Sequence, residues 1–105
     1  MRNALLKDIA KVIRSKNSGP FEITFDVMFD DEAAYHRVKN SGALDQAKLE
    51  RLYNVPATDV IVCMFFDPAL AFKLTLRRRW AQGSVGERDT FGAQQHAPLL
   101  DIEVP

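Results

Sequence analysis

Between Phe21 and Asp30 the chain alternates, with Phe21, Ile23, Phe25, Val27 and Phe29 on one face of an extended backbone and Glu22, Thr24, Asp26, Met28 and Asp30 on the other. A period of two is the repeat of a half-buried strand, so the pattern predicts one here. Leu70, Phe72, Leu74 and Leu76 interleave with Ala71, Lys73, Thr75 and Arg77 in the same way. Just upstream, Val60-Ile61-Val62-Cys63-Met64-Phe65-Phe66 is apolar at every position, which predicts either a central strand covered on both faces or a strand buried in an oligomer interface. Asp67-Pro68 marks a turn, so the two runs read as a hairpin. Near the carboxy end Leu100, Ile102 and Val104 alternate with Leu99, Asp101 and Glu103, predicting a last strand.

Helical spacing governs the middle of the chain. The acidic run Asp30-Asp31-Glu32 caps a helix predicted to reach about Lys39, because carboxylates accept the free amides of the first turn and oppose the helix dipole. Ala34, Tyr35 and Val38 form its buried stripe, His36 and Arg37 point to solvent, and Gly42 stops it. A second helix is predicted from Asp45 to Tyr53, with Asp45 as N-cap, Leu44 stapled onto Leu49, and Leu49, Leu52 and Tyr53 facing inward. Asn54 and Pro56 end it. Ala4 to Arg14 is ambiguous on pattern: Leu5, Leu6, Ile9, Ala10, Val12 and Ile13 recur at helical spacing, while β-branched Val12-Ile13 leaves a buried strand open. Arg14 to Pro20 reads as a polar, glycine-containing loop, and Ala81 to Arg88 as a second, longer one.

Composition narrows the class. A chain of 105 residues, 47% hydrophobic and 27% charged, is expected to fold as a single domain over residues 1–105. Lysine and arginine equal aspartate and glutamate at 14 each, so no protein-wide field draws in nucleic acid, and Arg77-Arg78-Arg79-Trp80 reads as a solvated strand end. No segment reaches the about 18 apolar residues of a membrane span. Met1-Arg2-Asn3 leads into apolar sequence broken by Lys7, Asp8 and Lys11, unlike a secretory signal, and the expected location is the cytoplasm. Cys63 is the single cysteine, which excludes an intramolecular disulfide.

Two polar stretches are candidates for chemistry. Arg14, Ser15, Lys16, Asn17 and Gly19 offer cations and backbone amides for a carboxylate or phosphate, although one glycine does not make a Walker loop. Gln94, Gln95 and His96 offer two amides and an imidazole. The expectation is that both stretches meet in one site. There Arg14 would form a bidentate fork on an anion, Lys16 would act as a point charge, Gln94, Gln95 and His96 would bond the rest of the ligand, and Asp89 would orient His96 or Arg14. The alternative is a structural Arg14–Asp89 bridge. His36 and His96 are too far apart in sequence to suggest a metal pair, Ser15, Ser18 and Cys63 have no triad spacing, and the residues leave any cofactor unknown. The apolar run Val60 to Phe66 and Trp80 together predict a homo-oligomer, or a surface awaiting a larger subunit.

Four segments carry a family resemblance. Leu6 to Phe21, Phe29-Asp30-Asp31-Glu32, Leu52-Tyr53 before Val55-Pro56, and Phe91-Gly92-Ala93-Gln94-Gln95-His96-Ala97-Pro98-Leu99-Leu100-Asp101 resemble a bacterial small-protein family, the domain of unknown function DUF4387. Members are found alongside acyclic terpene utilisation (AtuA-type) proteins, whose ferredoxin-like carboxy-terminal domain is distantly similar and also opens with a strand running into Arg-Ser. The resemblance implies that Ala4 to Ile13 is a strand. It implies a two-layer α+β sandwich, ferredoxin-like in spirit, with about five strands in a mainly antiparallel sheet and two helices on one face. It also implies a non-catalytic accessory subunit of a larger AtuA-type protein in carboxylate or acyl-CoA catabolism. The alternative is a chain contributing active-site groups to an enzyme acting on such a metabolite.

Overall fold

The computed structural model describes residues 3–19, 21–77 and 97–105. Among these, β2 (Val12–Gly19), β3 (Glu22–Met28), β4 (Val60–Phe66) and β5 (Ala71–Arg77) form an antiparallel sheet in the order β2-β3-β5-β4. Two hairpins lie side by side, and the helices α2 (Glu32–Ser41) and α3 (Gln46–Tyr53) connect them. The result is the expected two-layer α+β sandwich. Short strands β1 (Ala4–Leu5) and β6 (Glu103–Val104) pair separately, beside the single helical turns α1 (Leu6–Ile9) and α4 (Ala97–Leu100).

Alternation puts Ile23, Phe25 and Val27 of β3 opposite Leu76, Leu74 and Phe72 of β5, all buried. The helices cover this face. Tyr35 meets Phe29 and Phe65 edge-on at 5.8 and 5.7 Å between ring centroids, and Tyr53 lies 4.8 Å from Phe25. Each fully buried large side chain contributes about 1.5–3 kcal/mol of transfer free energy. Leu6, Leu99 and Val104 from the chain ends belong to the same buried cluster.

Several expectations need correction. Arg14 to Gly19 is strand, not loop: every residue from Val12 to Asn17 pairs with β3, and a register shift follows between Asn17 and Gly19. Serine and asparagine favour turns when the backbone lacks partners, and here the β3 ladder supplies them. Residues 4–13 form neither one strand nor one helix. The helical spacing is realised as the single turn Leu6–Ile9, closed by Ala10 N–H donating to Leu6 O at 2.9 Å, and Val12 and Ile13 enter β2. Leu99 and Leu100 lie in α4, which leaves only Glu103 and Val104 in the last strand.

The apolar run Val60 to Phe66 is an edge strand rather than a central one, paired only with β5 among the described residues. Leu70 sits at φ 49° in the hairpin turn, so β5 starts at Ala71. Phe21 and Leu52 are exposed instead of facing inward. Arg37 is half-buried rather than pointing freely to solvent, its Nε donating to Pro105 O at 3.0 Å. Trp80 and the stretch Ala81 to Arg88 lie outside the described residues.

Candidate functional site

The second face of the sheet is where charge and apolar surface meet. Strand register lays its side chains out in rows: Val12, Met28, Ala71 and Phe66; then Arg14, Asp26, Lys73 and Met64; then Lys16, Thr24, Thr75 and Val62. Glu22 and Arg77 face each other at one end. Arg14, Lys16, Lys73 and Arg77 are exposed, as are Met64 at 49% and Phe66 at 52%. The four cations surround two carboxylates, Glu22 and Asp26, so a chain with no net charge carries a locally basic face.

Arg14 Nε donates to Asp26 Oδ2 at 3.4 Å, an ion pair on an exposed arginine that adds at most about 1 kcal/mol. Lys73 stands opposite Asp26 on the other side, so Asp26 lies between two cations. Thr24 and Thr75 meet hydroxyl to hydroxyl at 3.0 Å in the middle of the face, buried by their neighbours. These paired hydroxyls bring two buried polar groups together without a charge.

Strand geometry divides the predicted anion site. Arg14 and Lys16 project from the open face, while Ser15 and Asn17, one residue out of phase, turn toward the helix-covered face, where Ser15 is buried. Gly19 pairs with Glu22 beyond the register shift. Asp89, Gln94, Gln95 and His96 lie outside the described residues. Lys73 and Asp26 were not singled out from sequence, Arg77 was read only as part of a solvated strand end, and Met64 and Phe66 only as part of the apolar run that predicts an oligomer. The signal for the first three was present in the polar phase of β3 and β5, which defines the second face of those strands.

On the helix side a cleft of about 310 Å³ opens between the α2–α3 connection and the strands β4 and β5, with Leu44, Phe65 and Phe72 as apolar lining and Lys39 and Asp45 among its polar residues. Cys63 also lines it. Burial pushes its thiol upward, and the charges of Asp45 and Glu50 add to the shift, so the thiol stays protonated at neutral pH and is a poor nucleophile. At the β4–β5 turn the Tyr35 hydroxyl and Lys39 Nζ both donate to Asp67 Oδ1, the lysine at 2.8 Å. The Lys39 hydrogen bond, then that of Tyr35, holds the Asp67 carboxyl below its usual value. Burial and the facing carboxylate raise Tyr35 to about 12. Among the described residues no three of His, Cys, Asp and Glu converge to hold a metal, and no helix is long and apolar enough to cross a membrane.

No curated protein and no solved structure matches the chain. The family described as domain of unknown function (DUF4387) matches residues 6–103, nearly the whole length, and the chain belongs to that family.

Proposed function

We propose that the protein is a non-catalytic accessory subunit that docks through its open sheet face onto a larger AtuA-type protein working in carboxylate or acyl-CoA catabolism. The observation that carries this reading is the composition of that face, where exposed Met64 and Phe66 lie beside Arg14, Lys16, Lys73 and Arg77. Aromatic residues, methionine and arginine are the types enriched where proteins bind proteins. The face is a strand surface, and a surface of that shape suits a macromolecule better than a small metabolite, which needs a concave site. Complementary charge on the partner would set register and speed encounter. A fold supplies no reaction by itself, so the identity of the partner decides the biology.

Co-expression with a tagged AtuA-type protein tests the proposal. The two chains are expected to co-elute, and the double charge reversal Arg14→Glu with Lys73→Glu is expected to lower retention at least tenfold while leaving the far-ultraviolet spectrum of the small protein unchanged. Absence of co-elution would sink the docking reading. Turnover of a carboxylate or a coenzyme-A thioester by the purified small protein alone would replace the accessory role with the enzymatic one.

A further inference from the structure

We infer that the edge of β4 left unpaired among the described residues is a self-association surface, on which a second copy of this chain pairs antiparallel about a two-fold axis at Met64, merging the two main sheets into one. This rests on the strand edge and not on the docking role of the open face.

Among the described residues the strand order leaves two candidate edges, β2 and β4. They differ in how they treat an incoming strand. β2 carries exposed Arg14 and Lys16 among serines and an asparagine, and charged edge residues, lysine above all, are the common guard against edge pairing. β4 carries no charge and no proline along Val60–Phe66, and Ile61, Met64 and Phe66 are 41%, 49% and 52% exposed. An uncharged strand of this kind pairs with itself without bringing like charges together.

The register follows from an irregularity. The pairing of β4 with β5 shifts between Val60 and Val62, leaving Ile61 as the extra residue, and a bulge ends regular pairing on a strand. The regular ladder is therefore Val62 to Phe66, and its centre is Met64. A two-fold axis there sets Met64 against the partner's Met64 and Val62 against the partner's Phe66 on the open face. Cys63 then faces the partner's Phe65 on the helix side. Every pair is apolar, and antiparallel pairing about a two-fold is self-complementary, as closed dimers require. The faces also match, since one continuous sheet keeps both helix layers on the same side.

The full chain, examined alone by size-exclusion chromatography with light scattering, is expected to run at twice the chain mass. Met64→Lys, which places a lysine at the centre of the edge, is expected to halve that mass with unchanged circular dichroism. In a Cys63→Ser background, Met64→Cys is expected to form an inter-chain disulfide under mild oxidation, because directly opposed antiparallel residues have Cα atoms about 4.5–5.5 Å apart, within disulfide reach. Lys16→Cys in the same background, on the opposite edge, is expected to stay uncrosslinked. A monomer at all concentrations overturns the inference, as does a dimer that survives Met64→Lys or crosslinks equally at both edges. A chain that is monomeric alone and uses Met64 only to hold the larger AtuA-type protein assigns the edge to that partner and overturns self-association while leaving the docking proposal standing.

Discussion

Asp67 is exposed, yet two side chains of α2 converge on it, and this makes the β4–β5 turn sensitive to pH at both extremes. Its carboxyl is held below the ordinary value of 3.8 by Lys39 and then by Tyr35, so the native state gains stability above that value and loses it as the group protonates. Tyr35 has the opposite sign. Its hydroxyl is raised from 10.0 to about 12 by burial and by Asp67, so the associated stability is complete below pH 10 and lost as pH climbs toward 12. The urea midpoint of the wild type is therefore expected to fall across that interval. Tyr35→Phe should start less stable, because the hydrogen bond to Asp67 is gone, and fall less steeply. A residual slope belongs to Tyr53 and Cys63, whose hydroxyl and thiol burial also raises. Equal slopes for Tyr35→Phe and wild type would show that the hydroxyl ionises freely. None of this was legible in the sequence, because Asp67 lies 28 residues from Lys39 and 32 from Tyr35, and only the packing of α2 against the hairpin brings them together.

At the scale of elements, the two acidic helix starts look alike in sequence and differ in structure. The Asp31 carboxylate accepts from Ala33 N at 3.0 Å, whereas Asp45 makes no side-chain cap bond. Asp31→Ala is expected to cost about 1 kcal/mol and Asp45→Ala no more than a few tenths, measured by urea denaturation. Equal losses would mean that general charge, not the cap bond, matters at both ends. Gly42, at φ 77°, ends α2 as its sequence position indicated. The alternations in β3 and β5 were also legible, because each strand has one buried and one polar face and the period shows directly. β2 was not. Its serines, asparagine and glycine carry turn propensity, and only the neighbouring β3 strand, a tertiary fact, converts them to strand. The same reason splits the candidate site: residues adjacent in a loop can share a ligand, while residues adjacent in a strand face opposite ways, so Arg14 and Lys16 part from Ser15 and Asn17.

At the scale of the whole molecule, the chain ends decide how the fold holds together. β1 pairs with β6, Leu6 N–H donates to Ile102 O at 2.8 Å, Lys11 N–H donates to Met28 O at 2.8 Å, and Arg37 reaches the carbonyl of Pro105. Leu6, Leu99 and Val104 are fully buried in the same cluster as Phe25 and Leu74. A small domain depends on filling one core, so these terminal leucines are expected to carry as much weight as those in the main sheet. Leu99→Ala is accordingly expected to cost about 2–5 kcal/mol, in the same range as Leu74→Ala, and to move a single cooperative urea transition without broadening it. Hydrogen exchange supplies the discriminating measurement. If the ends are integral, the amides of Leu6 and Lys11 exchange only through openings nearly as costly as those of β3 and β5. A Leu99→Ala loss well under 1 kcal/mol, with rapid exchange at those amides, would instead make the terminal pair a loosely attached flap and leave the four-stranded sheet and its two helices to stand alone.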